Sequence, residues 1–592
     1  MSKAYPIGDM IGIAFWEEGL MLNRRQLIAL GVGMTAIAGK VATSVADGSV
    51  VEDPGPFAPA FDSLDRMVAQ YLRDIGAPGL TLALADAVGV RRVACYGSDD
   101  LAGSRSVRPD QLFEIGSITK SFVALCLLQL RDEGKLDLAR PIAGYLPWIR
   151  FESTLGPITV HHLMTHGAGL PDGPLFPADP GFTYQPSNPP GRDFHYCNMG
   201  WDALGHLIET FDNRPLGDSI RARIFEPLGM NASQPVTTFE SRERMATSYV
   251  PLLADRPYPR RGPLVVAPSI ITTDGAGCVA ATPSDMGRYL SMLARRGATP
   301  RGRLVSEEAF RLFSTPHIKA DEFGNDAYYG YGIAVDKLDG HLRLRHTGGM
   351  VSFASALEVD LDEGIGVFAS VNAMQGLRPR PVAEYALRLM RACRSGAPLP
   401  EVPPPDDPLR VARARDYAGR YTGTAGHALD IRAEGERLFL AHGDERVALE
   451  PAVEPMDAFH AAHPDFARYL LLFTRADPKN PTSAVIEAGH AESWFVRADF
   501  AGPREFPLPA EWRGYCGHYR SEDPWLGSHR VVARRGRLWL DGVIPLEPGS
   551  AGSFYLRDEE RSPEWVRFAD PAGGRTMRLV VSGADFVRVM AA

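Results

Sequence analysis

Six prolines fall within eleven residues, at Pro398, Pro400, Pro403, Pro404, Pro405 and Pro408. Proline has no amide hydrogen and a fixed φ, so neither a helix interior nor a central strand can cross this segment. The chain must therefore fold as at least two parts joined by a stiff linker. The sequence differs in kind on either side. Before the linker, helical and strand periodicities are mixed. After it, helical periodicity nearly vanishes, and short strands with glycine turns take over. The tail also repeats itself. Tyr417-Ala418-Gly419-Arg420-Tyr421 returns as Tyr515-Cys516-Gly517-His518-Tyr519, and Phe495-Val496-Arg497 returns as Phe586-Val587-Arg588. Between them, Gly435-Glu436-Arg437-Leu438-Phe439-Leu440 returns, one residue shorter, as Gly536-Arg537-Leu538-Trp539-Leu540. Three matches in one order predict two all-β copies of roughly 90 residues, each a small antiparallel barrel.

Ahead of the linker, Leu64, Met67, Val68, Tyr71 and Leu72 form one face of a helix over Phe61–Leu72. Leu80–Ala85 and Arg92–Tyr96 read as a strand pair. Ser117–Glu133 reads as a helix apolar on most faces, hence buried all round, and stopped by Gly134. Thr282-Pro283-Ser284-Asp285 caps another helix. Tyr331–Val335, His341–Arg345, Phe353–Val359 and Gly366–Val371 read as successive strands. Together these predict an α+β fold, an antiparallel sheet flanked by helices.

Near the start, Arg24-Arg25 leads into an uncharged apolar run that ends before Lys40. The run is too short to span a bilayer and fits the core of an export signal of twin-arginine type, with cleavage after Ala46. Export to the periplasm is expected. Glu17 and Glu18 are foreign to a signal's positive leader, so residues 1–20 read as an upstream extension, with translation starting at Met21. The expected layout is an export segment over 1–46, a mixed domain over 50–395, the linker over 396–410, and barrels over 411–502 and 508–592. The balance of 63 Lys+Arg against 72 Asp+Glu, a net charge of -9, excludes the basic footprint of a nucleic-acid binder. No cysteine pair has metal spacing, and mostly buried free thiols are expected.

The chemistry-bearing residues cluster in three motifs. Ser117 and Lys120 lie three apart at a helix start, so both side chains leave one face. A serine hydroxyl needs a neighbour to take its proton, and the helix N-terminus adds positive potential and free N–H groups. Tyr196-Cys197-Asn198 precedes an apolar helix over Met199–Phe211. A tyrosine there can act as base or proton shuttle, and Asn198 can hydrogen-bond both the lysine and a substrate amide. Cys197 lies close enough between them for its alkylation to block access. His346-Thr347-Gly348-Gly349 ends a strand, where the two glycines would let a substrate backbone approach and His346 could sit over the site. His162 and His166, four apart, have the spacing of a zinc pair, but no glutamate base follows them, and no metal or cofactor is expected.

In this order and spacing, Ser-x-x-Lys, Tyr-x-Asn and His-Thr-Gly resemble the serine hydrolases of the class C β-lactamase and penicillin-binding protein superfamily. Ile158–Pro171 and Phe225–Met230 agree with it. The resemblance implies a site between a helical part and the sheet, where Ser117 is acylated and Lys120 and Tyr196 exchange its proton. It implies that Asn198 orients lysine and substrate, and that the N–H groups of Ser117 and Gly349 form the oxyanion hole. His346 and Thr347 would face the substrate. Class C β-lactamases carry a lysine where His346 stands. The histidine favours a D-aminopeptidase-like peptidase or an esterase, with β-lactamase or DD-carboxypeptidase as the alternative and a non-catalytic receptor for cell-wall fragments as the second. D-aminopeptidase resembles the chain in its two terminal barrels, one of which sends a loop to the active site. Glu522–Gly527 is the candidate for such a loop here.

Overall fold

Residues that alternate between two apolar faces make a strand, and the central strands here are apolar on both. The computed structural model describes residues 53–589 apart from 180, 254, 376, 424–426, 478–479, 550–551 and 557–561, so the expected export segment lies outside the described residues. Eight strands form one antiparallel sheet: β1 (Gly79–Asp86), β2 (Val90–Gly97), β3 (Ile318–Lys319), β4 (Tyr328–Tyr329), β5 (Ala334–Leu338), β6 (His341–Gly349), β7 (Ala354–Asp360) and β8 (Ile365–Val371). Their spatial order is β2-β1-β8-β7-β6-β5-β4-β3. The chain thus returns after more than 200 residues to lay β8 beside β1.

Leu80, Leu82 and Leu84 of β1 join Ile365, Val367, Ala369 and Val371 of β8 in a core covered by helices α1 (Phe61–Ile75) and α6 (Arg380–Ser395). Ala83, Ala85, Leu357, Val359 and Phe368 point the other way, into the larger core built on α2 (Thr119–Asp132) and α5 (Pro283–Ala294). The period of two fixes which side chains serve which face. Within the larger core, the rings of Phe122 and Tyr289 stack at 3.9 Å, and Ser121 Oγ and Tyr289 Oη share a hydrogen bond of 2.7 Å. Short helix α3 (Val160–Met164) and helix α4 (Asn198–Asp212) pack into the same helical part.

Two local expectations shift. The helix expected from Ser117 begins at Thr119, because Gly116–Ile118 first makes a tight 3-10 turn with Gly116 at φ 52°. The strand expected over Tyr331–Val335 starts only at Ala334. Gly332, at φ 70°, bends the chain where any Cβ would crowd the Lys120 carbonyl at 2.5 Å.

Beyond the linker stand two closed barrels of eight antiparallel strands each. The first runs from β9 (Gly419–Gly423) to β16 (Ser493–Arg497), and the second from β17 (Gly517–Arg520) to β24 (Ala584–Arg588). The first and last repeated segments fall on the closing seam of each barrel, where Tyr421 pairs with Arg497 and Tyr519 with Arg588, and the middle one forms the third strand of each. Tyr421 Oη donates to the Tyr417 carbonyl at 2.8 Å, and Tyr519 Oη to the Tyr515 carbonyl at 2.6 Å. In both, the seam arginine donates back to the tyrosine hydroxyl, at 3.1 Å from Arg497 Nη2 and 2.6 Å from Arg588 Nη2. Closure leaves no unpaired edge, which is why a short-stranded tail can stand as folded units. All six cysteines are free, four of them buried.

Candidate active site

The turn before α2 and the end of β6 touch backbone to backbone. A Cβ on Gly348 would overlap the Ile115 carbonyl, and one on Gly116 would lie 2.6 Å from the Gly349 nitrogen. The glycines expected to admit a substrate instead let β6 press against the serine turn, which fixes Ser117 relative to the sheet. On the next turn of helix, Lys120 is fully buried, and its Nζ reaches three acceptors: Ser117 Oγ at 3.0 Å, Asn198 Oδ1 at 2.8 Å and the Ala276 carbonyl at 3.0 Å. Three acceptors match the three hydrogens of an ammonium group. Below Ala276, the carboxylates of Asp202 and Asp274 take its amide at 3.2 and 3.1 Å. Burial, then the neighbouring Asp274 charge, hold the Asp202 carboxyl well above the usual range.

Asn198 opens α4, whose N-cap residue Cys197 offers no side-chain cap. Asp172 supplies one from a distant loop. Its carboxylate accepts the Asn198 amide at 2.7 Å, Asn198 Nδ2 at 2.8 Å and, more weakly, the Met199 amide at 3.4 Å. Orphan donors at a helix start are thereby satisfied by an anion, and the same carboxylate sets the side-chain amide so that its oxygen faces Lys120. Tyr196 is half-buried, with Lys120 Nζ 5.0 Å from its ring centroid and the His166 ring stacked on it at 4.1 Å. Its hydroxyl has no hydrogen-bond partner among the described residues.

Several expected residues take other positions. His346 is buried. Its Nδ1 donates to the Thr347 carbonyl at 2.6 Å, and its Nε2 accepts from Tyr329 Oη at 2.8 Å. Burial, with Lys120 nearby, pushes it down to about 3, so the ring is neutral and fully engaged rather than presented over the site. Cys197 is buried, donates to the Pro171 carbonyl at 3.4 Å, and has its thiol pushed far up by burial, away from the thiolate that alkylation requires. His166 lies past the end of α3 at φ 57°, and its Nδ1 accepts the Cys197 amide at 2.9 Å, so it forms no ligand pair with His162. Glu522–Gly527 is an exposed turn closed on itself, with the Trp525 amide on Asp523 Oδ1 at 2.9 Å. The tail approaches the site elsewhere, through Glu564, whose Oε1 lies 2.8 Å from His195 Nε2.

Three other residues escape motif reading. Arg378 packs on Gly349 so closely that a Cβ there would overlap its guanidinium; Tyr196 is among its neighbours, and it makes no ion pair among the described residues. Burial lowers it from the usual arginine range. Glu114, three residues before Ser117, lines a cavity of about 630 Å³ with Met245, Ala246, Ser352 and Phe353, and burial pushes its carboxyl up to about 7. Asp172 is the third. Asp172 and Arg378 had no local pattern to betray them, because each meets residues remote in sequence.

A serine, a buried lysine and an asparagine are locked between helix and sheet, and the profile of the Beta-lactamase family matches residues 64–391, more than half of the chain. The chain belongs to the Beta-lactamase family. Among its relatives, penicillin-binding protein 4 of Amycolatopsis lactamdurans is 26% identical over 341 residues, spanning 54% of this chain and 87% of that protein. Penicillin-binding protein 4* of Bacillus subtilis is 24% identical over 61% of this chain and 83% of its own length. Esterase EstB of Burkholderia gladioli is 29% identical over 31% of this chain and 54% of its own. The octameric penicillin-binding protein homologue from Pyrococcus abyssi superposes with a TM-score of 0.52 at 23% identity, over 74% of this chain and all of that one, a likeness of fold. No helix among the described residues of this Beta-lactamase-family chain is long and apolar enough to cross a membrane.

Proposed function

We propose that this chain is a serine hydrolase that cleaves a small ester or amide, esterase-like or D-aminopeptidase-like, through an acyl-enzyme on Ser117. The observation that carries the reading is Lys120 Nζ at 3.0 Å from Ser117 Oγ, itself held by Asn198 at 2.8 Å. Ser117 Oγ attacks the substrate carbonyl carbon, and as the new ester bond forms its proton passes to Tyr196 Oη in its deprotonated form, while Lys120, whose three hydrogens are already donated, stays a cation beside it. The amide N–H groups of Ser117 and Gly349 receive the oxyanion. Tyr196 returns the proton to the departing alkoxide or amine, and water then repeats the attack to free the acid. The negative charge that Tyr196 Oη carries before this transfer lies near Lys120 and Arg378, both cations. His346 and Thr347 serve the same strand edge, His346 by holding it rather than by touching substrate.

A neutral His346 brings no positive charge to a substrate carboxylate, which favours substrates that carry none. Arg378 favours a second reading, a β-lactam or a peptide with a free C-terminus, because a guanidinium beside Gly349 with no ion-pair partner among the described residues is suited to a carboxylate. The test is a panel of p-nitrophenyl esters, D-amino-acid amides and a chromogenic cephalosporin, run with the parent chain and Ser117→Ala. Turnover confined to esters or amides and lost in Ser117→Ala is the expected result. Turnover that survives Ser117→Ala overturns the reading, and cephalosporin turnover alone selects the second.

A further inference from the structure

The second barrel meets the first part of the chain at Glu564, just before the strand Trp565–Ala572. Glu564 Oε1 accepts the Asp172 amide at 2.8 Å and pairs with His195 Nε2 at 2.8 Å, while Oε2 accepts the Ser582 hydroxyl. The contact is built rather than incidental. A Cβ on Gly173 would overlap the Ser582 carbonyl, and one on Gly583 would lie 2.5 Å from Tyr184 Oη, so glycine on each side permits the close approach. Beside them, the rings of Phe182 and Trp565 lie 5.4 Å apart.

What Glu564 holds is what holds the catalytic lysine. Asp172, whose amide it fixes, carries Asn198 on its carboxylate, and Asn198 Oδ1 accepts from Lys120 Nζ. His195, its other partner, precedes Tyr196, and its amide donates at 2.8 Å to the carbonyl of His166, whose ring stacks on Tyr196. Burial pulls His195 down, but the Glu564 carboxylate outweighs it and holds the imidazole above its ordinary value, so the pair is charge-assisted. Both branches from one barrel carboxylate therefore end on the residues that move the serine proton.

We propose that Glu564 is a positioning residue for acylation: the second barrel completes the active site by clamping Asp172 and His195, and through them Asn198, Lys120 and Tyr196. The inference rests on the serine-hydrolase reading and assigns the terminal domain a part in it. Glu564 touches no reacting atom. Its loss acts on the geometry of proton transfer and leaves ground-state binding of a small ester alone.

The experiment follows the rate of Ser117 labelling by an acylating phosphonate probe, kcat and KM on a p-nitrophenyl ester, and thermal melting. It compares the full-length parent, Glu564→Ala, Glu564→Gln and Trp565→Ala. Glu564→Ala should slow labelling and lower kcat by roughly 10- to 100-fold, the scale of a misplaced catalytic group, with KM unchanged. Glu564→Gln keeps an acceptor for the Asp172 amide and should lose less. It also carries the comparison if the alanine variant melts early. Trp565→Ala loosens the same interface without touching the carboxylate and should keep the parent kcat. Parent-like labelling in Glu564→Ala and Glu564→Gln overturns the inference, as does an equal loss in Trp565→Ala, which would make it a matter of docking alone. A parent chain that is not labelled at Ser117 overturns the hydrolase reading instead.

Discussion

Lys120 spends all three of its hydrogens on fixed acceptors, so the alanine variant loses both a proton partner for Ser117 and the tie to Asn198. Lys120→Ala should lower kcat on an ester by roughly 10²- to 10⁴-fold, as measured by single-turnover kinetics. Glu114 makes a prediction of the opposite kind, in stability rather than rate. Its folded value of about 7 stands above the ordinary 4.5, so the unfolded chain releases that proton first. The folded state is therefore penalised increasingly as pH rises from 4.5 to 7, and fully above 7. Glu114→Gln should melt later than the parent at pH 8, by up to about 3 kcal/mol, and equally at pH 4. Denaturant titrations at the two pH values measure the difference. Residue by residue, Ser117, Lys120, Tyr196 and Asn198 were legible because each sits in a short motif at a helix start. His346 was legible as a position but not as an orientation, since nothing in His-Thr-Gly says that the Tyr329 hydroxyl waits to donate to the ring. Arg378 and Asp172 had no motif at all.

Among the elements, the meeting of β6 with the turn before α2 is the tightest constraint. Gly348→Ala must push β6 away from Ile115, which should cost about 1–3 kcal/mol as an overpacked contact and lower the labelling rate of Ser117. A thermal melt separates the two effects, because a substitution that harmed only substrate approach would leave stability intact. The central strands and the long helices were legible because their periods persist over several turns or pleats; α1 and β6 run beyond their expected ends by only a few residues. The shorter β3 and β4 were not, with two residues each, too few for any period to register. Nor was the cap of α4, because Asp172 reaches it across a loop rather than from the residue beside it.

For the whole molecule, the repeat was legible as a repeat but not as a seam. Its tyrosines and arginines recur because closing a barrel demands the same joint twice. Arg588 binds that joint in the second barrel through Tyr519 and the Gly514 and Cys516 carbonyls. Arg588→Ala leaves those groups unsatisfied, which should destabilise the barrel by about 1–3 kcal/mol. If the barrel carries Glu564 as proposed, ester turnover should fall at temperatures where the barrel opens and the rest stays folded, as read by activity against circular dichroism on one heating ramp. The Glu564 contacts could not be read from the chain, since they join residues 392 and 369 positions apart. That separation sets a clock. At a synthesis rate of 5–20 residues per second, a ribosome needs roughly 20 to 80 s between making Asp172 and making its clamp. If Glu564 braces the site as proposed, the nascent chain carries Ser117 through that interval without its clamp, and acylation stays roughly 10- to 100-fold slower until the second barrel closes.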